Sequence, residues 1–568
     1  MKALFYSLNA AIWVHALPES RLVRELSRRG CETVYVSCGK TFPVHCTSYS
    51  AYTMPTDAPQ AVKDKVCGDC VRNAKLLTGA NGARHLALKD FLTAQDEAHI
   101  DTLMAGITRE NYLDFHYEGV AVGRATTYEL FLLFKKMSTS LDDYEWNYYR
   151  IYLRNSLQSL IGFSKIHARE KPDVVFFYSP QYGANGVCAE YAGLQGSRTY
   201  FIEGSSSNSE RYKALRIWEW SAHGLVNPAL RHWQAVRDKL TPDDVRRVTS
   251  HIRELLAAQS FAVYSAPLAS QFSLRRHFGI PEGAKILLAT LSSFDEAYAA
   301  YVIDKFPERK VKSPVFPTQF EWIKDTIAKL GGCDDLYLII RVHPRDYPNK
   351  RDPRQSEQAA IWEKMFSDRP ANVIINWPQD GISLYNMLPQ VDAVITGWSA
   401  TATEALLFGV PVVTYDRFLP SYPPDIHLTG ESAQEYYANI EKALARGHGF
   451  DLTEAAYRWL GVSFSMGTVQ ISPPSPPIGA AWPHRFVFRA LRKVLNVLLH
   501  GFVRHRDARR GFTTGTDADR FYSLVAHGGA SLFDVIERTP QQPQAEAVSQ
   551  AIKAEADSLS ALMPKSAA

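Results

Sequence analysis

Short apolar runs alternate with helical patterns through the second half of the chain. The runs with the length and composition of buried strands are KILLATLSS (285–293), LYLIIRVHP (336–344), NVIINWP (372–378), DAVITGWS (392–399) and VPVVTYD (410–416). Helical segments such as FEWIKDTIAKL and TATEALLFG separate them. This alternation predicts a parallel, doubly wound α/β sheet.

The first half shows the same alternation less regularly. Strand-like ALFYS (3–7) and ETVYVSC (32–38) flank a helical segment, and DVVFFYS (173–179) and RTYFIEG (198–204) follow a largely helical stretch. We therefore predict an α/β fold with two Rossmann-like domains that face each other across a cleft, a Cys-rich insertion and a C-terminal helical extension.

The same patterns predict where the domains begin and end. Ligands of open α/β sheets bind at the carboxyl ends of the strands, so we expect the functional residues to lie at this edge of each sheet. The predicted parts are a first domain over 1–255 with a Cys-rich insert (38–70) and a helical region (88–170), a second domain over 256–450, return helices with a basic amphipathic segment over 451–540, and a flexible tail over 541–568.

Composition narrows the possible functions. The chain has 568 residues and a formal net charge of only +4, which argues against nucleic acid as a partner. The N-terminus has one early Lys and an apolar run broken by Asn9 and His15, so it is a poor secretory signal. Seven Cys in so long a chain do not make a disulfide scaffold. We expect a cytoplasmic location.

The segment RVHP (341–344) ends one of the predicted strands with polar side chains. Arg341 and His343 alternate with Val342, so both point to the same side as the strand ends. A cation and an imidazole donor at this edge suit a phosphate or diphosphate. An Arg–carboxylate pair with a His at a strand end is the purely structural alternative.

The segment GWSATATEALLFGVPVV (397–413) joins a strand to a helix. Ser399, Thr401 and Thr403 supply hydroxyls that can cap the helix, and amides at a helix start favour an anion. Glu404 lies in the first turn, where it can accept hydrogen bonds from sugar hydroxyls. An ordinary capped crossover helix is the alternative interpretation.

These two segments carry a resemblance to a known family. The order of strand, Ser/Thr, Glu-Ala and Gly-x-Pro-Val-Val, with RVHP upstream, resembles the donor-binding part of GT-B glycosyltransferases, most of all those of bacterial capsule polysaccharide synthesis: the β-Kdo transferases and, more distantly, the polysialyltransferases. The resemblance covers roughly 280–445. It implies that His343, Ser399 and Thr401 contact the phosphate of a CMP-sugar and that Glu404 lies at the donor ribose or sugar. Trp398-Ser399-Ala400 stands where a double Ser is often seen, which weakens the CMP assignment.

Further candidates lie at other strand ends. Ser292 and Ser293 follow the first strand of the second domain and suit donor phosphates. In the first domain, Glu203 ends a strand just before Gly204 and a Ser run, and a carboxylate there can act as general base on an acceptor hydroxyl. We therefore predict Glu203 and His343 as catalytic residues, with Arg341 stabilising the leaving phosphate and no catalytic divalent metal.

Four Cys form a second specific pattern. Cys38, Cys46, Cys67 and Cys70 have the spacing C-x7-C-x20-C-x2-C, which suits a structural zinc site. An iron–sulfur cluster needs the same number of ligands, His45 is an alternative to Cys46, and free buried thiols are the plain alternative.

The segment from Pro483 to Arg510 combines a helical apolar stripe with eight Arg and Lys residues. Such a helix either lies on an anionic membrane surface, which would place the protein at the inner membrane, or packs on the first domain.

Together these features predict a metal-independent glycosyltransferase of surface polysaccharide synthesis. A nucleotide-sugar donor, with CMP-sugar favoured, binds the second domain, and a glycan or lipid-linked acceptor binds the first. A CDP-glycerol-type glycerophosphotransferase and a non-catalytic polysaccharide assembly or export protein are the alternatives.

Overall fold

A computed structural model of the chain describes residues 1–258, 263–472, 504, 506–538 and 544–563. In these ranges the backbone forms two mainly parallel sheets, each covered by helices on both faces. The strands in chain order are β1 Lys2–Tyr6, β2 Glu32–Ser37, β3 Arg84–Ala87, β4 Val174–Tyr178, β5 Arg198–Gly204, β6 Ala214–Glu219, β7 Lys285–Thr290, β8 Leu336–Arg341, β9 Val373–Asn376, β10 Ala393–Thr396, β11 Val412–Thr414, β12 Leu428–Thr429 and β13 Thr468–Gln470.

The second sheet has the strand order β12-β11-β10-β7-β8-β9, and all of its pairs are parallel. Numbered within the domain, this is the order 6-5-4-1-2-3 of the Rossmann fold, in which the order reverses between the first and fourth strands. The sequence predicted five of these strands, and β12, only two residues long, is the sixth.

The first sheet has the order β13-β6-β5-β4-β1-β2-β3. Strands β1 to β5 are parallel, whereas β6 and β13 are antiparallel additions at one edge. The predicted fold class, two Rossmann-like domains in the GT-B arrangement, is therefore confirmed. The strand β13 comes from near the end of the second half, so the chain returns to complete the first sheet.

The helices connect and cover these sheets. In chain order they are α1 Trp13–Arg28, α2 Thr47–Ala51, α3 Gln60–Asn81, α4 Ala94–Ala105, α5 Val122–Ala125, α6 Thr127–Phe134, α7 Asp143–Glu170, α8 Gly183–Leu194, α9 Ala229–Val236, α10 Pro242–Ala257, α11 Leu274–Phe278, α12 Phe294–Val302, α13 Gln319–Leu330, α14 Glu357–Met365, α15 Leu384–Met387, α16 Thr401–Leu407, α17 Ala433–Arg446, α18 Phe450–Gly461, α19 Gly515–Ala526, α20 Leu532–Arg538 and α21 Ala545–Ser560, with a π-helix over Val462–Met466.

Local sequence explains where several of these helices begin. Four start with a capping box, in which the side chain before the helix and an acidic side chain three residues later bond each other's backbone amides. The pairs are Thr93 and Asp96 for α4, Asp142 and Glu145 for α7, Thr241 and Asp244 for α10, and Thr318 and Glu321 for α13.

The two domains touch through α6 of the first and α12 of the second. The rings of Phe131 and Tyr298 stack there with centroids 5.7 Å apart. Beside them the ammonium of Lys136 lies between the carboxylates of Glu145 and Glu357, at 3.0 and 3.1 Å. Because this cation is buried, its two ion pairs fix the first domain to the start of α14.

The predicted flexible tail is wrong for residues 545–560, which form α21. This helix packs against α10 and buries Val548, Ile552 and Leu559. The apolar residues in this Gln-, Ala- and Ser-rich stretch recur at helical spacing, so one face of it is covered by the return helices.

Most of the predicted membrane-binding helix, residues 483–503, lies outside the described residues. The part that follows packs on the first domain: Arg504 donates to Asn73 Oδ1 at 2.8 Å and lies over the Trp13 ring, while Arg21 bonds the carbonyl of Arg510. No helix within the described ranges is long and apolar enough to cross a bilayer.

Candidate functional site

A cavity of about 430 Å³ opens at the carboxyl ends of β7, β8 and β10. This is the edge at which the strand order of the second sheet reverses, where open α/β sheets bind their ligands. All seven residues predicted to bind the donor line this one cavity: Ser292, Ser293, Arg341, His343, Ser399, Thr401 and Glu404. The sequence places them on three different strand ends, and folding brings them together.

Arg341 ends β8 and supplies the cation of the cavity. Its guanidinium donates to Asn376 Oδ1 of the neighbouring strand. Burial lowers its pKa to about 10, while Tyr385, Glu404 and Asp380 oppose that shift. The side chain is therefore charged at neutral pH, and among the described residues no carboxylate forms an ion pair with it. An anion in the cavity would neutralise it.

His343 lies two residues beyond Arg341 and is held as a neutral imidazole. Burial lowers its pKa to about 4, an effect that the charge of Asp295 opposes. Its Nδ1 accepts a hydrogen bond from the backbone amide of Arg345 at 3.2 Å. Because Nδ1 is the acceptor, the ring hydrogen sits on Nε2, and this N–H is the group that the imidazole offers to a ligand.

Arg345, which sequence reasoning missed, fixes this loop. Its guanidinium makes a bidentate ion pair with Asp295 at 2.7 to 3.2 Å and also donates to the carbonyl of Leu132 in α6. Asp295 is only 1% exposed. The pair therefore ties the RVHP loop to the start of α12 on one side and to the first domain on the other.

Ser292 and Ser293 form the wall opposite the RVHP loop. The backbone of Ser292 is clamped by Gln319, whose side chain accepts from its amide at 2.7 Å and donates to its carbonyl at 3.0 Å. Its hydroxyl is buried and has no hydrogen-bond partner among the described residues. Ser293 uses its hydroxyl on Asp295. The unpaired Ser292 hydroxyl is thus the member of the pair that is available to a ligand.

The Ser399 turn differs from its prediction. Helix α16 is preceded by Ala400, not by a capping hydroxyl. Ser399 Oγ donates to Thr401 Oγ1 at 3.1 Å and accepts from the Thr401 amide at 3.3 Å, while Thr403 Oγ1 donates to the Ala400 carbonyl. The hydroxyls therefore order the turn itself, which presents Ser399 and Thr401 to the cavity.

Glu404 accepts a hydrogen bond from the Tyr385 hydroxyl at 3.0 Å. Burial raises the pKa of this carboxyl, and the Tyr385 hydrogen bond and the charge of Arg341 oppose the rise. Glu404 also lines the cavity, so the residue fits the predicted contact with sugar hydroxyls.

Glu203, the predicted general base, has a structural partner. It forms an ion pair with Arg216 of the adjacent strand β6 and is not among the residues that line the cavity. A carboxylate in the first turn of α12 does line it: the Glu296 side chain is 64% exposed and lies 3.7 Å from the guanidinium of Arg345. Its exposure leaves it accessible to an acceptor hydroxyl that enters the cavity.

Glu129 on α6 is another titratable group of the first domain that the sequence did not single out. Burial raises its pKa to about 7, and its one hydrogen bond is a long one from Thr47 Oγ1, at 3.5 Å. It lines a small cavity with His45 and Tyr182 at the carboxyl edge of the first sheet.

The four predicted metal ligands are buried or half-buried thiols. Cys70 Sγ donates to the Leu8 carbonyl at 3.5 Å, the Cys67 thiol bonds the Tyr49 hydroxyl at 3.0 Å, and Cys38 Sγ accepts from the Thr41 amide at 3.3 Å. Burial raises the pKa of Cys38, Cys46 and Cys70. Within the described ranges no three His, Cys, Asp or Glu side chains are arranged to hold a metal ion. The geometry gives the zinc or iron–sulfur site no support, and it stays a prediction from spacing.

Other lining residues had no signal in the sequence. Tyr264 and Ser265 come from the irregular connection between the domains, and Asn208 comes from the first domain. The Tyr264 ring meets His343 edge-on with centroids 5.9 Å apart. Irregular segments carry no periodicity, so only their position in the fold reveals them.

No family model and no curated protein matches the chain. Solved structures align over most of it: the calicheamicin glycosyltransferase CalG4 (14% identity, 82% of this chain and 94% of its own, TM-score 0.26), the spinosyn rhamnosyltransferase SpnG complexed with thymidine diphosphate (14%, 82% and 96%, 0.23) and the Methanocaldococcus jannaschii UDP-GlcNAc 2-epimerase in complex with UDP-GlcNAc and UDP (12%, 87% and 100%, 0.26). Superpositions this loose carry no argument about this chain, and the fold assignment depends on its own strand order.

Proposed function

We propose that the protein is a glycosyltransferase that moves a sugar from a nucleotide-sugar donor, with a CMP-sugar favoured, to a glycan or lipid-linked acceptor in bacterial surface or capsular polysaccharide synthesis. One observation carries the proposal: the Arg341 cation, the neutral His343 imidazole and the unpaired Ser292 hydroxyl converge on one cavity at the strand-order reversal. These are donors aimed at an anion with several oxygens, as in a nucleotide phosphate.

In this proposal the three donors stabilise the departing phosphate. Breaking the bond between sugar and phosphate leaves negative charge on the phosphate oxygen, and Arg341 and the His343 Nε2–H are fixed in place before that charge appears. Fixed donors in a water-poor site stabilise developing charge without reorganisation. Transfer then needs no divalent metal, so EDTA should leave the rate unchanged.

The acceptor hydroxyl needs a base, and two carboxylates are candidates. Glu203 is the prediction from sequence, and Glu296 lies on the cavity wall with an exposed side chain. The variants Glu203→Gln and Glu296→Gln separate them. If Glu296 is the base, Glu296→Gln lowers kcat by about 10²- to 10⁴-fold and leaves KM for the donor nearly unchanged. Glu282→Gln, at a carboxylate that is 92% exposed in the same domain, is the matched control.

The first experiment is a ligand panel. Thermal shift and calorimetry with CMP, CDP, UDP, dTDP and CDP-glycerol, followed by transfer assays with the sugar nucleotides of the best binders, identify the donor class. Preference for CDP-glycerol would favour the glycerophosphotransferase, because that donor transfers a glycerol phosphate group, with release of CMP, and no sugar. No stabilisation by any nucleotide would overturn the proposal and favour a non-catalytic assembly protein.

A further inference from the structure

A second groove lies between the domains, along α8 and away from the donor cavity. It has a volume of about 210 Å³ and is walled by the segment before α5, by α8 and by the end of α12. Both domains contribute to it, since Ile303, Asp304 and Lys305 belong to the second domain and the rest to the first.

Two nearly buried side chains of this groove carry polar atoms without a hydrogen-bond partner among the described residues. Gln181 and Trp220 are each 6% exposed, and the unpartnered atoms are Gln181 Oε1 and Trp220 Nε1. One is an acceptor and the other a donor. Buried polar groups are ordinarily paired, so a pair of orphans on one groove indicates a ligand. A sugar can pair with both atoms, because each of its hydroxyls can donate and accept a hydrogen bond.

The charges of the groove leave one cation available. The ammonium of Lys305 is already paired, because it forms an ion pair with Glu190 and lies 4.8 Å from the centre of the Trp220 ring. Arg124, by contrast, is exposed at the rim and forms no ion pair within the described ranges. The planar guanidinium of Arg124 presents several N–H donors, which suit the hydroxyls or the carboxylate of a sugar.

The apolar part of the groove suits the same ligand. Leu194 is 60% exposed at its end, and Val120 and Ile303 lie within its wall. A sugar ring presents C–H faces between its hydroxyls, so a site that mixes apolar surface with a few fixed polar groups matches it.

Helix α12 connects the groove to the donor cavity. Glu296, near its start, lines the donor cavity, and the residues just after its end line the groove. The helix has nine residues, a length of about 13 Å. The groove is thus remote from the reacting sugar.

We propose that this groove binds a saccharide unit of the acceptor glycan at a distance from the transfer site, an inference that rests on the proposed glycosyltransferase function. Glycan binding here would hold a growing chain while its end reacts. The part of the acceptor that is recognised is then a sugar residue inside the chain and not only its terminus.

The test is glycan binding without any nucleotide. A microarray of neutral and acidic bacterial oligosaccharides, followed by titration calorimetry with the best binder, compares the unmodified protein with Gln181→Met and Arg124→Ala. Because Gln181 Oε1 has no hydrogen-bond partner in the described part of the chain, the Met variant should unfold like the parent protein. Each variant should weaken binding about tenfold, the value of one lost hydrogen bond to a ligand.

The control is Arg231→Ala, at an exposed arginine on α9 that lines none of the cavities described above. Absence of any glycan binding, or equal binding by the parent protein and both groove variants, would overturn the inference. Nucleotide binding measured on the same samples separates the two proposals: glycan binding with no nucleotide binding leaves the groove and removes the transferase, and the reverse result removes only the groove.

Discussion

Replacing the imidazole of His343 probes the donor cavity most directly. His343→Phe keeps a ring against Tyr264 but removes the Nε2–H donor and the Nδ1 acceptor. A hydrogen bond to a charged phosphate contributes about 1.5–3 kcal/mol, so the Kd for the preferred nucleotide should rise by about 10- to 150-fold.

The dependence on pH follows from the burial of the ring. Because burial lowers the pKa of His343 to about 4, the imidazole is neutral at pH 5.5 and at pH 8 alike. The ratio of Kd between variant and parent protein should therefore stay constant over this window. An exposed histidine would gain charge near pH 6.5 and bind phosphate more tightly there.

The lowered pKa of His343 also makes the free energy of unfolding depend on pH. The folded pKa lies below the unfolded value of 6.5, so the neutral ring's contribution is present above pH 6.5 and is lost as the pH falls towards 4. Across that range the parent protein should lose about 1.4 kcal/mol per pH unit relative to His343→Phe.

Calorimetry with the preferred nucleotide at pH 5.5, 6.5 and 7.5, and urea unfolding over pH 4.5–7.5, measure both effects. His277→Phe, at an exposed histidine of the second domain outside the cavity, is the control. Unchanged nucleotide affinity in His343→Phe would refute the phosphate contact. A Kd ratio that grows below pH 6.5 would refute the neutral, buried imidazole.

Three further predictions concern other parts of the molecule. Asp295→Asn removes the buried carboxylate that pairs with Arg345 and leaves it only the exposed Glu296 at 3.7 Å, so it should lower the free energy of unfolding by about 3 kcal/mol in urea titrations; a change below about 0.5 kcal/mol would contradict this role. Burial raises the pKa of Glu19 to about 8, so its protonated form stabilises the fold at low pH and this contribution is lost between the unfolded value of 4.5 and pH 8; relative to Glu19→Gln, the parent protein should lose about 1.4 kcal/mol per pH unit over that range, and parallel stability curves would contradict the burial. Elemental analysis tests the metal site predicted from the Cys spacing: about one equivalent of zinc or iron that is lost in Cys67→Ser is the expected result, and far less than one equivalent in the parent protein would contradict the prediction.

The strands and the donor cavity were predictable because each leaves a local pattern. A strand buried on both faces is a continuous apolar run, and polar residues directly after it lie at the ligand-binding edge. Ser292, Arg341 and Ser399 were found in this way although they are far apart in sequence. Strand order then brings them together, because β7 lies between β8 and β10.

Other features leave no such pattern. The bond from Arg345 to the Leu132 carbonyl joins residues 213 positions apart, and a backbone acceptor has no identity in the sequence. The burial that raises the pKa of Glu129 comes from first-domain residues far apart in sequence, such as Phe42 and Tyr182, which line the same small cavity. The composition of the segment that forms α21 predicts a flexible tail. Its contact with α10 determines which face of the helix is buried.

The segment from the His343 loop to the start of α14 also carries several polar contacts between the domains. Arg345 bonds the Leu132 carbonyl, Arg354 donates to the Leu133 carbonyl at 3.3 Å, and Lys136 pairs with Glu357 at 3.1 Å, all at the end of α6. Because the pair between Arg345 and Asp295 also fixes the start of α12, the donor cavity, the candidate base Glu296 and the remote groove share one rigid connection.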